Sequence, residues 1–370
     1  MSTPAESLKS VEKHLEAYPD DAFAWNVKGV LLAQLEQFGD ALRCFDRAIL
    51  LNSEILEAHA NRGRVLLALG PDKASKALKS FENALAINSD DISALQGKAS
   101  ALHALGRTKE ELDCYVKIVE ARPDDASAWI RLADIEFGLK RFKKAVTRYD
   151  RALALNSESP VALIHRAISL AMIEDWKEAI KSADAATKLV PDDAEAWRTL
   201  GDVSFRAGRH KAALKALRKA AEIDPENASI RNTMGMIAYR DGQLKDAVKH
   251  FKAALIRNKR HISALRNLGF IYMEQENWAE AAKVWERLTA LVKNDPDIYD
   301  IQATSYARLD NFCGASESWE KARKLYKKKG NKKDASRVTE LGRAARINCA
   351  RQKKAARAER EHEKATRRRR

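Results

Sequence analysis

The sequence predicts an all-α fold, an extended array of helix pairs repeated every 34 residues. Three observations carry that reading. Glycines and prolines recur at the same interval: Gly29 and Gly63 lie 34 apart, as do Gly201, Gly235 and Gly269, and Pro191 and Pro225. All seven tryptophans fall at only three positions of such a repeat. Turn-forming residues are scarce, with 15 glycines and 8 prolines in 370 residues, which argues against a sandwich, a barrel or a propeller. A fixed period of this length is the signature of a repeat architecture.

The register places repeats at 22–55, 56–91, 92–125, 126–159, 160–193, 194–227, 228–261, 262–295 and 296–329, nine in all. The second is two residues longer, and the extra length falls around Gly70 and Pro71, where a loop tolerates it. Trp25, Trp129 and Trp197 stand at position 4, Trp176 and Trp278 at 17, Trp285 and Trp319 at 24. Each repeat reads as two helices. In 194–227, Trp197, Leu200, Gly201 and Ser204 follow the spacing of one helical face. Gly208 ends that helix, since glycine adopts positive φ freely. Ala213, Leu217 and Ala220 mark the inner face of the second helix, and Pro225 stops it. Six of the eight prolines lie at position 32 or position 1, so none interrupts a helix. Small residues at positions 8, 20 and 27, such as Ala133, Ala145 and Ala152, let neighbouring helices approach. The acidic pairs Asp20-Asp21, Asp124-Asp125 and Asp192-Asp193 recur at repeat boundaries and read as helix caps.

The pattern of Trp at 4, Leu at 7, Gly at 8, Ala at 20, an aromatic at 24, Ala at 27 and Pro at 32 resembles the tetratricopeptide repeat (TPR) over residues 22 to about 326. The resemblance implies a right-handed superhelical solenoid of antiparallel helix pairs. Arg62, Lys98 and Arg166 replace the apolar residue at position 7, and Glu111 the small residue at 20. Looser packing is expected in the second, third and fifth repeats.

The ends divide off. Residues 1–21 read as a capping helix, with Leu8, Val11, Leu15 and Pro19 at second-helix positions. Residues 22–326 form the solenoid, and 327–370 a basic capping helix and tail, with Asp334 as its N-cap. The net charge of +15 belongs to this last segment, whose 18 basic and 5 acidic side chains leave the other 326 residues nearly neutral. Its clusters are Lys327, Lys328, Lys329, Lys332, Lys333, Lys353, Lys354 and Arg367, Arg368, Arg369, Arg370. Such a run is either a solvated cap fraying into a charged end or an arm for nucleic acid or an acidic partner. No aromatic follows Tyr326, so base stacking has no platform and binding would be weak and non-specific.

Catalytic and metal signals are missing. The eight histidines show no pair three to five residues apart, and no HExxH, GxSxG or phosphate-loop motif occurs. The chain is therefore expected to be non-enzymatic, without cofactor or metal. Cys44, Cys114, Cys313 and Cys349 form no CxxC and read as reduced thiols of a cytoplasmic protein. No apolar run reaches the length of a membrane span, and Met1 to Ser10 lacks a signal core.

The resemblance implies that positions 2, 5, 6, 9, 12 and 13 of the first helices line a concave surface. The fourth and fifth repeats put Arg131, Phe137, Ile164 and His165 there, beside Ile130, Ile168 and Met172. The sixth to eighth put Arg198, Phe205, Arg206, Asn232, Met236, Tyr239, Arg240, Arg266, Asn267, Phe270 and Met273 there. Exposed aromatics, Met and Arg are what protein interfaces concentrate, and Asn can hold the backbone of an extended peptide. A scaffold binding a protein or extended peptide is the expected function. The alternative at each position is local satisfaction: Arg198 with Asp202, an i, i+4 pair, or Phe205 tucked against its neighbour. The family's two-carboxylate clamp for an acidic chain terminus is incomplete, since Asn61 and Arg131 each match one element, two repeats apart.

Overall fold

The computed structural model describes residues 3–368, with side chains to 363. Among the described residues every regular element is helical. The chain divides into two compact bodies, Met1–Pro191 and Asp192–Arg370, a division that the even 34-residue spacing does not announce.

The first body opens with α1 (Pro4–Ala17). Five pairs follow: α2 (Ala22–Gln34) with α3 (Phe38–Leu51), α4 (Leu56–Ala68) with α5 (Ala74–Ile87), α6 (Ile92–Ala104) with α7 (Thr108–Ala121), α8 (Ala126–Gly138) with α9 (Phe142–Leu155), and α10 (Pro160–Met172) with α11 (Trp176–Leu189). The second body holds α12 (Ala194–Arg206) with α13 (His210–Ile223), α14 (Ala228–Arg240) with α15 (Leu244–Arg257), α16 (Ile262–Glu274) with α17 (Trp278–Leu291), and α18 (Pro296–Arg308) with α19 (Phe312–Lys328). The last helix, α20 (Lys332–Arg368), runs for 37 residues.

Local chemistry explains the boundaries. Asp21, Asp125 and Asp193 cap α2, α8 and α12, each accepting backbone N–H bonds from the first turn. The indoles of Trp25 and Trp129 donate to the carbonyls of Pro19 and Pro123, at 2.8 and 3.0 Å. A tryptophan at position 4 thus ties its helix to the proline turn that precedes it. The turn inside eight of the nine pairs closes through a left-handed residue at position 15; in the second, Gly70 stands there at φ 127°. Gly106, Gly208 and Gly242 fill it in three repeats, but Glu36, Lys140, Glu174, Glu276 and Asp310 hold it with φ of 54–62°.

The core forms where position 8 of a first helix meets position 24 of its partner. Gly269 lies so close to the fully buried Trp285 that a Cβ would come within 2.7 Å of the indole. The charged residues at position 7 do not simply loosen their repeats. Arg62 Nε donates to Asp46 at 2.6 Å and its Nη1 to Ser80 at 2.8 Å. Arg166 repeats the arrangement with Asp150 and Ser182. In both cases an arginine stem spans from an acid at position 25 of the preceding repeat to a serine at position 23 of its own. Lys98 reaches Glu82 at 4.0 Å, and the buried Glu111 accepts from His103.

Two expectations need correction at the carboxyl end. The cap of α20 is Asn331, whose Oδ1 accepts from the backbone N–H of Asp334 at 3.2 Å. Asp334 lies inside the first turn and accepts from the Asn331 amide. Helical backbone continues beyond the packed portion to Arg368. Cys313 and Cys349 are not free thiols: they form a disulfide, with Cα atoms 4.9 Å apart. Sequence spacing could not show this, because the two meet only when α20 folds back along α19. Cys44 and Cys114 stay unpaired and buried.

Candidate functional site

In the first body the residues picked from the sequence gather around Asp134 on α8. Its Oδ1 accepts from the Tyr149 hydroxyl at 2.5 Å and lies 2.8 Å from His165 Nδ1. Burial, then the bond to Asp134, pushes the Tyr149 phenol far above its ordinary range, so it remains a donor. Arg131 is exposed and bonded to the Tyr115 hydroxyl. Phe137 is half-buried, edge-on to Phe142. Ile164 is buried, a correction to its expected place on an open face. A cavity of about 280 Å³ is lined by Asp134, Phe137, Tyr149, His165 and Ile168. Asp134 also borders one of about 410 Å³ that includes His103, Glu111, Tyr115 and Arg131.

The second body holds the more open arrangement. Arg198 is satisfied locally, by Glu195 and by Asp202 at 2.5 Å. Phe205 is half-buried, packed with the Leu217 cluster and near His210. These two follow the bland alternative. Arg206 is exposed in the last turn of α12. Asn232 is buried, and this too corrects the sequence reading: its Oδ1 accepts from Asn267 at 3.2 Å and its Nδ2 faces Met236 Sδ at 3.6 Å. Its amide is therefore consumed in joining α14 to α16. Asn26 and Asn61 make the same link between α2 and α4, at 3.0 Å. Arg266 is exposed and leans to Asp295 at 3.4 Å. Met273 is half-buried, packed on the core.

Five of the predicted residues do converge. Met236, Tyr239, Arg240, Asn267 and Phe270 line a cavity of about 500 Å³ between α14 and α16, with Phe251, Ile271 and Glu274 completing it. Two of its rings are exposed, Tyr239 at 41% and Phe270 at 45%. Phe270 is held edge-on to Trp285, centroids 5.2 Å apart. The Tyr239 hydroxyl bonds to Glu274, which raises the phenol above its usual range. Arg240 is exposed at the rim. Glu274 was overlooked although it stands at position 13, one of the positions taken to face the groove. The walls are thus apolar and aromatic, with one cation and one carboxylate at the mouth. Among the described residues no cluster of His, Cys, Asp and Glu could hold a metal ion.

Of the basic residues, Lys327 and Lys328 close the last turn of α19, where the helix dipole favours cations. Lys329, Lys332, Lys333, Lys353 and Lys354 are exposed. Arg367 and Arg368 belong to α20 by their backbone, and Arg369 and Arg370 lie outside the described residues. No described helix is long and apolar enough to cross a membrane.

Paired helices in tandem, each first helix packed on its second, define a helical-repeat fold. The chain belongs to the tetratricopeptide repeat family: the profile of the Cilia and flagella-associated protein 70 C-terminal domain, a TPR profile, matches residues 76–341, and a tetratricopeptide repeat profile matches 26–71. No curated protein matches. The fold is similar to that of yeast Tom70, at 16% identity over 94% of this chain and 86% of that one, TM-score 0.56. A tetratricopeptide repeat protein from Parabacteroides merdae is similar at 19% identity over 71% of this chain and 99% of that one, TM-score 0.51.

Proposed function

We propose that the chain is a non-enzymatic scaffold that captures an extended segment of a partner protein on the first-helix face of its second body. The observation that carries this is the cavity between α14 and α16, where Tyr239 and Phe270 stay open at 41% and 45%. Rings of that size cost free energy in water and give it back when covered. Arg240 and Glu274 at the mouth supply orientation. Because Asn232 and Asn267 bond each other, the site relies on ring burial and charge more than on amide bonding to a peptide backbone. Selection from a random peptide library on phage tests the reading. Sequences enriched by the native chain should lose binding to the Arg206→Ala, Tyr239→Ala, Arg240→Ala variant, with circular dichroism and melting unchanged. Enrichment that the variant retains in full would place the site elsewhere.

A second reading has its own observation: an exposed helix carrying Lys353 and Lys354 that continues to Arg368. It favours contact with nucleic-acid phosphates or an acidic surface through charge alone. Replacing Lys353, Lys354 and Arg367 to Arg370 with Gln should abolish retention on duplex DNA and spare peptide capture. Duplex retention by that variant would sink this second reading.

A further inference from the structure

The bond between Cys313 and Cys349 sits at a particular place along α20. From Lys332 to Ala345 the helix is fastened by packing: Ala335, Val338 and Ala345 are buried with Trp319 and Tyr326 of α19. Ser316 Oγ adds a bond to the Gly342 carbonyl at 3.3 Å, and Arg337 one to Asp300 at 2.5 Å. Beyond Ala345 no described residue is buried. The disulfide, and Gln352 Nε2 donating to the Asp310 carbonyl at 2.8 Å, tie this stretch to the rest of the body. Every described side chain from Lys353 onward is exposed. The disulfide is thus the last strong anchor before a highly charged arm.

Both cysteines are half-buried, within reach of a small thiol. Cys313 is the second residue of α19, behind the Asn311 cap, where free N–H groups stabilise a thiolate. Arg346 and Lys353 flank Cys349 a turn to either side on one face of α20 and act in the same direction, while Glu317, a turn beyond Cys313, opposes it. Cys44 and Cys114 contrast with this pair, since burial pushes both thiols up and keeps them protonated.

We propose that Cys313 and Cys349 form a reversible thiol-oxidation site that exchanges with disulfides of the glutathione class, and whose state sets whether the arm beyond Arg346 is a held helix. In the forward direction the Cys313 thiolate attacks one sulfur of glutathione disulfide. The mixed disulfide forms and one glutathione thiolate leaves. The Cys349 thiolate then displaces the second. Two protein thiols and one glutathione disulfide become one protein disulfide and two glutathione thiols; two electrons pass to the reagent and both protons end on its thiols. Glutathione in excess reverses the sequence. With the bond open, the Gln352 bond to the Asp310 carbonyl still ties the arm to the body. A segment that short and charged is marginal as a helix in water, even with its Arg357–Glu361 pair at 2.9 Å.

Hydrogen exchange on the full chain tests this, comparing samples equilibrated in oxidised and in reduced glutathione. Amides of residues 347–363 should exchange about tenfold faster or more in the reduced sample, with α18 and α19 unchanged. Alkylation after unfolding should count two thiols in the oxidised sample and four in the reduced one. The Cys313→Ser, Cys349→Ser variant should show the fast exchange in both buffers. Equal exchange of 347–363 in the two wild-type samples would overturn the proposal, as would four alkylated thiols after oxidised glutathione. Both of those comparisons stand without the variant.

Discussion

Position 15 of each repeat shows how a single residue sets a turn. The backbone there must be left-handed, yet Glu36 and Glu276 occupy it at φ 58° and 54°. A side chain in that region costs about 1 kcal/mol relative to glycine. Glu36→Gly and Glu276→Gly should each raise stability by about 0.5–1 kcal/mol in urea unfolding. A close approach works in the opposite sense. Gly269→Ala would drive a methyl into the buried Trp285 ring, and overpacking of this kind costs about 1–3 kcal/mol. Two histidines add a pH dependence. Burial holds His250 and His261 below the ordinary imidazole value. His261 also caps α16 through Nδ1, which accepts from Ala264 at 3.1 Å and can do so only while unprotonated. As pH falls below about 6.5 the unfolded chain binds protons that the folded chain resists, so stability declines across that window. Urea midpoints at pH 7.5 and 5.5 should differ in that direction, and His261→Asn should shrink the difference while keeping a cap.

At the scale of elements, charge at position 7 changes how neighbouring helices are joined. Arg166 keeps its stem in the helix interface and its head between Asp150 and Ser182. Because Asp150 is half exposed, the ion pair itself is worth little, about 1 kcal/mol or less. Arg166→Leu is therefore expected to stay within about 1 kcal/mol of the parent by chemical denaturation. The last helix is less dispensable. A chain ending at Asn331 uncovers Trp319 and Tyr326, and the lost burial of Val338 alone is worth about 1.5–3 kcal/mol. It should self-associate in light scattering, whereas a chain ending at Gln352 should remain monodisperse. The disulfide closes a separation of 36 residues, which in the chain-entropy account contributes about 4 kcal/mol when formed.

For the whole molecule the deciding quantity is where the charge lies. Residues 327–370 hold most of a formal +15, and their described cations are exposed. Phosphate contacts made by such an arm release counterions, so affinity for duplex DNA should fall roughly a thousandfold between 50 and 200 mM salt if about six contacts form. Fluorescence anisotropy against salt measures this. Peptide capture through the Tyr239 and Phe270 rings should fall far less over the same range, because ring burial is not screened and only the charges at the mouth are.

The sequence by itself determined the helix pairs, their 34-residue period, the aspartate caps and the location of the excess charge. Those features rest on local chemistry: spacing of apolar side chains, cap residues, proline and glycine at turns. It also marked the faces on which Tyr239, Arg240 and Phe270 would stand. Tertiary structure alone decided which of those faces stay open. Asn232 and Ile164 became buried, and Glu274 met the Tyr239 hydroxyl at the mouth of the cavity. It also decided the pairing of Cys313 with Cys349. The physical reason is that a repeat pattern specifies each helix's inner face. Which polar groups find partners depends on atoms brought together from 35 or more residues away in some cases, as with Asn232 and Asn267, and no local spacing encodes that encounter.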